Sequence, residues 1–355
     1  MKPRLTDWSL ALAGGLAFAT GIISLFSGHP EEWLVFAAHG AVGLWLALLL
    51  WGKLRRVLPR LARPRLWDWR TILGALAVAI VTLALGSGVW WVAGGMVYFL
   101  DWGLLNWHIA LGFALTLLIG FHMLARARPL RKRDLRGRRQ LLRGGLLLGG
   151  ALALWPAQQV IEHALDTPGS QRRFTGSREA ESYAGNVFPA TSWVADAPRP
   201  LSLSAWRLRI VGAVAAPHTF TYDELVAAGD GLVATLDCTG GFYSTQRWSG
   251  ARVGRLLEGV TLLPDAAWVS FISVTGYRWT LPLDEARAAL LATHVSGEPL
   301  SHDHGAPVRL VAPNRRGFQW VKWVVRVELR TTPDPGELIA IHTSSFTPEG
   351  RGEQP

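Results

Sequence analysis

WLVFAAHGAVGLWLALLLWG, residues 33–52, holds no charged side chain and one ionisable group, His39. A helix rises about 1.5 Å per residue, so this stretch matches the roughly 30 Å hydrocarbon core of a bilayer. Trp33 and Trp51 stand near its ends, where indole rings favour the headgroup region. Working outward, charge-free runs recur at 8–28, 71–100, 102–125 and 144–161. The last is at the margin of spanning length and contains Pro156, Gln158 and Gln159. A core helix of a soluble protein can imitate one such run, but not four in succession. The expected fold begins with an all-α transmembrane bundle of four helices plus a fifth anchoring helix.

The 355-residue chain is 50% hydrophobic and 17% charged, with a formal charge of +10. That charge is unevenly placed. Residues 1–143 carry 18 Lys/Arg and 6 Asp/Glu, a balance of +12, and the remainder carry 18 and 20, a balance of −2. A basic nucleic-acid surface belongs on the soluble part, which is slightly acidic, so no nucleic-acid partner is expected. The 53–70 and 126–143 linkers are rich in Arg and Lys, whereas the other short loops hold Glu31, Glu32 and Asp101. The positive-inside rule then places both basic linkers in the cytoplasm and everything after about residue 165 outside. The expectation is a multi-pass protein of the bacterial cytoplasmic membrane, its C-terminal domain on the outer face, with no cleavable signal peptide. Arg138-Arg139, before the fifth run, reads either as an internal twin-arginine export signal or as one more arginine pair of a positive-inside loop.

His39 and His108 each occupy the seventh position of an apolar run and each begins His-x-x-x-Gly, ending at Gly43 and Gly112. The spacing suggests a duplicated two-helix unit with both imidazoles at one depth near the outer face. Two facing imidazoles with small residues beside them suit axial ligation of one haem iron. Helix-packing histidines are the plain alternative. The region 8–125 resembles membrane cytochromes b, which implies haem b held by His39 and His108. His122 lies 14 residues beyond His108 on roughly the same helix face, but the matching position of the other unit is Lys53. One haem is therefore expected.

After residue 166 the pattern becomes α+β. Residues 166–200 read as an extended lead-in. Trp206–Val211, Leu232–Asp237 and Trp268–Val274 read as strands, 307–312 and 320–329 as β-rich segments, and Asp284–Leu291 as a helix. Thr221-Tyr222-Asp223-Glu224 has the form of a capping box. Cys238 is the sole cysteine, which excludes disulfides, cysteine-ligated iron–sulfur clusters and four-cysteine zinc sites. It sits past a strand end beside Gly240-Gly241. A small core residue is the ordinary reading of such a thiol; a thiolate on a soft transition metal is the other.

Ordered motifs then accumulate. They are Gly185-Asn186-Val187-Phe188-Pro189, the cysteine strand with Trp248-Ser249-Gly250 and Leu256-Leu257, and Gly297-Glu298-Pro299-Leu300. His304-Gly305-Ala306-Pro307-Val308-Arg309-Leu310-Val311-Ala312-Pro313 follows, and then Gly317-Phe318 and Val321-Lys322-Trp323. Over roughly 180–330 this resembles the sulfite oxidase-type molybdopterin oxidoreductases, near the bacterial periplasmic branch that contains the methionine sulfoxide reductase catalytic subunit. The resemblance implies an α+β molybdopterin-binding domain in which Cys238 ligates molybdenum. It implies that Asn186, Pro189, Ala190, Ser273, His304, Arg309, Trp320, Val321 and Lys322 bind the cofactor. Tyr243 and Arg247, just downstream of the thiol, are expected to meet the substrate. The family inserts its cofactor in the cytoplasm, which favours the export reading of Arg138-Arg139 and adds the twin-arginine machinery as a partner.

The domain boundaries read as a four-helix cytochrome b-like bundle (1–125), a basic linker with the fifth helix (126–165), the molybdopterin domain (166–335) and a C-terminal tail (336–355). The expected function is a membrane-bound molybdenum oxidoreductase acting on a small oxyanion or sulfoxide outside the cytoplasmic membrane. Its electrons would be exchanged through haem b with the quinone pool or another carrier. The alternative is a membrane-anchored, non-catalytic binding or redox-sensing domain.

Overall fold

The computed structural model describes residues 2–352 except Asp101, Ala127, Lys132, Arg133, Leu135, Arg136, Gly137, Trp193 and Val194. Asp101, Lys132, Arg133 and Arg136, used in the charge reading, thus lie outside the described residues. The chain divides into two compact units, Met1–Arg178 and Glu179–Pro355.

The first unit contains α1 (Pro3–Phe26), α2 (Trp33–Leu61), α3 (Trp69–Ala93), α4 (Leu104–Arg126) and α5 (Arg138–Ala164). All five are long and apolar enough to cross a membrane. α1 packs on α2, α3 on α4, and α5 on α2. Ala13, Leu46, Leu49, Leu50, Val81 and Leu115 are buried between helices, while Leu117, Leu124 and Leu146 point outward. Lipid tails are as apolar as leucine, so outward leucines carry no hydration penalty in a bilayer. Asp68 caps α3 by accepting the Thr71 N–H at 2.7 Å.

The uncharged run 71–100 is not helical throughout. α3 stops at Ala93, Gly94-Gly95 follow, and Tyr98–Phe99 (β1) pairs with Trp102–Gly103 (β2). Two successive glycines each disfavour helix by about 1 kcal/mol, and apolarity alone carries no signal for that stop. α5, conversely, extends beyond its uncharged run and takes Arg138, Arg139 and Arg143 into its first turns.

The second unit is built on two sheets. In the first, β6 (Asp230–Asp237) and β7 (Phe242–Arg252) form a long antiparallel hairpin, and β7 also pairs with β10 (Leu290–Val295). β11 (Glu298–Pro299) and β12 (Arg309–Val311) add to β10. A short β3 (Arg178–Glu179) falls at the division between the units. The second sheet runs β5 (His218–Thr221), β4 (Arg207–Gly212), β13 (Val324–Arg330), β8 (Trp268–Ser273), β9 (Arg278–Pro282), with β4 and β13 parallel. Short helices α6 (Tyr222–Ala227), α7 (Val253–Glu258), α8 (Leu283–Ala288) and α9 (Glu337–Thr343) complete the unit. One core joins Leu208, Ile210, Trp248, Val269, Phe271, Leu290, Leu310, Val327 and Ile341.

The capping box forms as read: Thr221 accepts from Glu224 N–H, and the Glu224 carboxylate accepts from Thr221 N–H at 2.7 Å. The helix expected over Asp284–Leu291 is shorter. It ends at Ala288, and Leu290 and Leu291 enter β10, where β7 and β12 flank them on either side. Burial in mid-sheet outweighs their helix propensity. β7, the spine of the sheet, carries Ser244, Gln246, Ser249 and Gly250 and has no strong strand signal. Gly250 is dictated by packing, since a Cβ there would meet the Leu291 carbonyl oxygen at 2.2 Å. Residues 336–355 contain α9, which buries Ile341, and Ser344 donates to the Asp196 carboxylate at 2.8 Å.

Candidate active site

The hairpin turn between β6 and β7 positions the thiol. Cys238 N–H donates to the Phe242 carbonyl at 2.8 Å, and Gly241, at φ +102°, returns its N–H to the Cys238 carbonyl at 3.0 Å. The turn aims the Gly240 N–H at Sγ (3.3 Å). Thr191 Oγ1 lies 3.5 Å from Sγ. Behind the turn, Asp237 and Arg316 form a buried ion pair at 2.8 Å, and Arg316 also donates to the Cys238 carbonyl at 3.4 Å. A Cβ on Gly317 would stand 3.2 Å from Cys238 Cα. The loop after β12 therefore fixes the cysteine backbone.

Three cationic or ionisable side chains converge from 304–322. Arg309 is 2% exposed, donates to the His304 carbonyl at 3.0 Å, and lies 5.3 Å and 5.9 Å from the ring centres of Trp248 and Trp320. Among the described residues it has no carboxylate partner, and its Nε has no hydrogen-bond partner. Burial pulls its pKa down to about 10, with the negative charge of Cys238 acting in the opposite direction. Lys322 donates to the carbonyls of Thr191 (2.8 Å) and Asp303 (2.6 Å). Burial first, then repulsion by Arg309, brings it down to about 8. His304 Nε2 donates to the Phe188 carbonyl at 2.8 Å, so its Nδ1 is the acceptor for Ser301 Oγ at 2.7 Å. Gly305, at φ +109°, lets its loop pack closely against two of these groups. A Cβ there would lie 3.0 Å from Lys322 Cβ and 3.1 Å from Arg309 Cβ. An arginine buried without a carboxylate partner is costly, and a soft sulfur ligand beside such a cation is suited to a metal complex that carries an anionic arm.

Burial holds the His304 pKa down to about 4. Its ordinary value is 6.5, so between these two pH values the unfolded chain binds the extra proton and stability rises with pH. The second unit is expected to lose up to about 3 kcal/mol between pH 6.5 and 4 through this group. Urea titrations across that window, with H304Q as the comparison, check it: the variant loses the slope. An unchanged slope in H304Q would contradict the assignment.

The structure brings Cys238, His304, Arg309 and Lys322 together, with Thr191 linking the stretch after Pro189 and Ala190 to the thiol and to Lys322. Trp320 and Val321 are buried, the first against Arg309. The Asn186 amide donates to the Pro299 carbonyl (3.0 Å) and accepts from the Ser301 N–H (2.9 Å), and Ser301 in turn meets His304. Ser273 is buried and accepts from Thr275, which in turn holds Asp196 at 3.0 Å. Tyr243 opens β7 opposite Asp237. Arg247 is exposed against the Tyr183 ring (5.3 Å), four residues further along the strand. At about 3.3 Å per residue this puts it roughly 13 Å from the turn, so it is not gathered at the thiol. Sequence reading missed Thr191 and Arg316. The partner of Arg316, Asp237, lies 79 positions away.

A thiol presented by a tight turn, a buried arginine with no carboxylate partner among the described residues and a half-buried lysine beside them mark a cofactor-binding site. Comparison with known proteins makes this specific: residues 195–338 match the family model for the oxidoreductase molybdopterin binding domain. The second unit thus carries a molybdopterin oxidoreductase domain of the sulfite oxidase and methionine-sulfoxide reductase type. It is 30% identical over 150 residues to the protein-methionine-sulfoxide reductase catalytic subunit MsrP of Xanthomonas axonopodis pv. citri, covering 37% of this chain and 47% of that one. It is 37% identical over 110 residues to mitochondrial sulfite oxidase of Macaca fascicularis, covering 28% and 20%. Among solved structures it is similar to the sulfane dehydrogenase SoxCD of Paracoccus pantotrophus, at 25% identity and a TM-score of 0.37, over 38% of this chain and 41% of that one. The chain spans about half the length, or less, of the curated relatives it matches.

Proposed function

We propose that this chain is a membrane-bound molybdenum oxidoreductase that acts on a small oxyanion or sulfoxide on the outer side of a bacterial cytoplasmic membrane. The observation that carries the reading is the placement of the sole thiol with buried Arg309, which has no carboxylate partner among the described residues, and half-buried Lys322. When bound, the molybdenum cofactor supplies two-electron oxygen-atom transfer. Cys238 would hold the metal, its negative charge supported by the Gly240 N–H. Arg309 and Lys322 would hold the anionic arm of the pterin, with Gly305 allowing the two to approach the same loop closely. His304, kept neutral between Ser301 and Phe188, would fix the backbone from which Arg309 hangs. Pro189 and Ala190 stand exposed beside Thr191 and would line the cofactor entrance.

The first unit would carry haem b between His39 and His108 and pass single electrons to or from the quinone pool. Ring geometry supports this. The two imidazole centres are 6.0 Å apart, with planes at 85°. His39 and His108 would hold the iron between them, each metal–imidazole bond taking about 2 Å. Arg138 and Arg139 at the start of α5 would present the export signal that lets the second unit cross already folded around its cofactor.

The test is metal and haem analysis of the purified full chain, with Mo(V) resonance and a reduced-minus-oxidised spectrum. About one molybdenum and one haem per chain is the expected result, with H39A and H108A each losing the haem band while keeping the molybdenum. A preparation with neither group, yet folded, sinks the reading.

A further inference from the structure

Each of the two histidines is met from the preceding helix by a hydroxyl residue followed by glycine. Thr20-Gly21 on α1 faces His39, and Ser87-Gly88 on α3 faces His108. Thr20 Oγ1 lies 3.0 Å from His39 Nδ1, and Ser87 Oγ lies 3.1 Å from His108 Nδ1. A Cβ on Gly21 would stand 3.3 Å from His39 Cε1, and one on Gly88 would stand 3.1 Å from His108 Cε1. The duplication read from His-x-x-x-Gly therefore extends to the other helix of each pair. His122 provides an internal contrast. Gly74 stands against its Cε1 in the same way (3.4 Å), but the residue before that glycine is Leu73, which has no hydroxyl.

These hydroxyls determine where the ring protons sit. Each has one hydrogen, and each already donates it to its own helix: Thr20 to the Leu16 carbonyl at 2.7 Å, Ser87 to the Ala84 carbonyl at 2.9 Å. Their oxygens can therefore only accept from the imidazoles, so both Nδ1 atoms carry hydrogen. The Ala84 carbonyl, 3.0 Å from His108 Nδ1 and an acceptor only, requires the same. An imidazole protonated at Nδ1 and neutral has its lone pair at Nε2, the atom left for a metal.

We infer that Thr20 and Ser87 are positioning residues for the haem ligands, each fixing the Nδ1–H tautomer and the ring plane of its histidine while the following glycine admits the ring edge. The inference rests on the haem reading above. It assigns the roles by hydroxyl and not by histidine alone, so that His39 and His108 are supported as ligands and His122 is not. It also predicts the electronic state of the iron. With ring planes near a right angle, the two imidazole π systems raise different iron d orbitals and leave that pair nearly degenerate. The ferric low-spin signal is then strongly anisotropic, with one large g value.

The test uses the full chain in detergent, comparing wild type with T20V, T20S and S87A by haem content, redox titration and low-temperature resonance of the ferric state. An Nδ1–H···O bond makes imidazole a stronger donor and favours the ferric form. T20V is therefore expected to shift the midpoint potential upward and to lower the largest g value, with T20S restoring both. S87A is expected to shift the same way, since each histidine keeps one backbone carbonyl, Ala17 for His39 and Ala84 for His108. Loss of haem in T20V with retention in T20S is also an expected result, since it isolates the hydroxyl. Haem-loaded T20V and S87A with unshifted potential and signal overturn the positioning role, as does equal loss of haem from T20V and T20S. Wild type without haem instead overturns the haem reading itself, and the inference with it.

Discussion

Cys238→Ser is expected to empty the second unit of function while leaving it folded. Serine is nearly the size of cysteine, and the turn that presents it is held by backbone bonds to Phe242 and Gly241 that the substitution does not touch. The Gly240 N–H that now points at Sγ would find Oγ. A serine hydroxyl, however, stays protonated at neutral pH and is a hard, weak donor, whereas a thiolate is a soft anionic one. Turnover with sulfite or a sulfoxide, using an artificial electron carrier, should fall by at least about a hundredfold, or roughly 2.7 kcal/mol of barrier. Molybdenum content and the Mo(V) resonance should fall or change with it. The thermal midpoint of the cofactor-free chain should move by only a degree or two, as for a conservative exchange at a half-buried site. A variant that retains both metal and turnover would remove Cys238 from the site and return it to the role of a small packing residue.

Arg309→Met should separate stability from cofactor binding in opposite directions. Arginine here is buried to 2% exposure with its charge uncompensated by any carboxylate among the described residues. Methionine fills similar space between Trp248 and Trp320 without that cost, and replacing buried charge by packed apolar groups is neutral or stabilising by about 1–4 kcal/mol. Some of that gain is offset by the lost bond to the His304 carbonyl and the lost attraction to the two indole rings. The cofactor-free chain should therefore be as stable as wild type or more so in a denaturant titration. Cofactor retention should fall about a hundredfold or more, since each hydrogen bond to a charged group contributes about 1.5–3 kcal/mol. A destabilised cofactor-free R309M would mean that Arg309 is retained for the fold and not for an anion.

Local signals in the sequence were reliable where a local rule governs the outcome. The Thr221 capping box, the strand leading to Cys238 and the five apolar helices all follow from periodicity, capping chemistry and run length. Two elements went astray, one for a tertiary reason and one for a local reason that hydropathy does not carry. Leu290-Leu291 leave the helix because β7 and β12 claim them on both sides. The run to residue 100 breaks because Gly94-Gly95 end a helix that hydropathy alone would continue. The site was legible as motifs, but its membership was not. Arg247 was expected near the thiol from its place just downstream in the chain, yet an extended strand carries it away. Thr191 and Arg316 reach Cys238 from 47 and 78 positions distant.

The one-dimensional pattern determined the two-part architecture, the single thiol and the paired histidines, because hydropathy, cysteine count and spacing are properties of the chain itself. Only the folded molecule decided which groups face one another. It left Arg309 without a counter-charge, turned the Asn186 amide toward Pro299 and Ser301, and placed a hydroxyl against the Nδ1 of His39 and of His108. Those outcomes depend on burial and on contacts between distant segments, where the free energy of a charge or a proton is set by its three-dimensional neighbours and not by its neighbours in sequence.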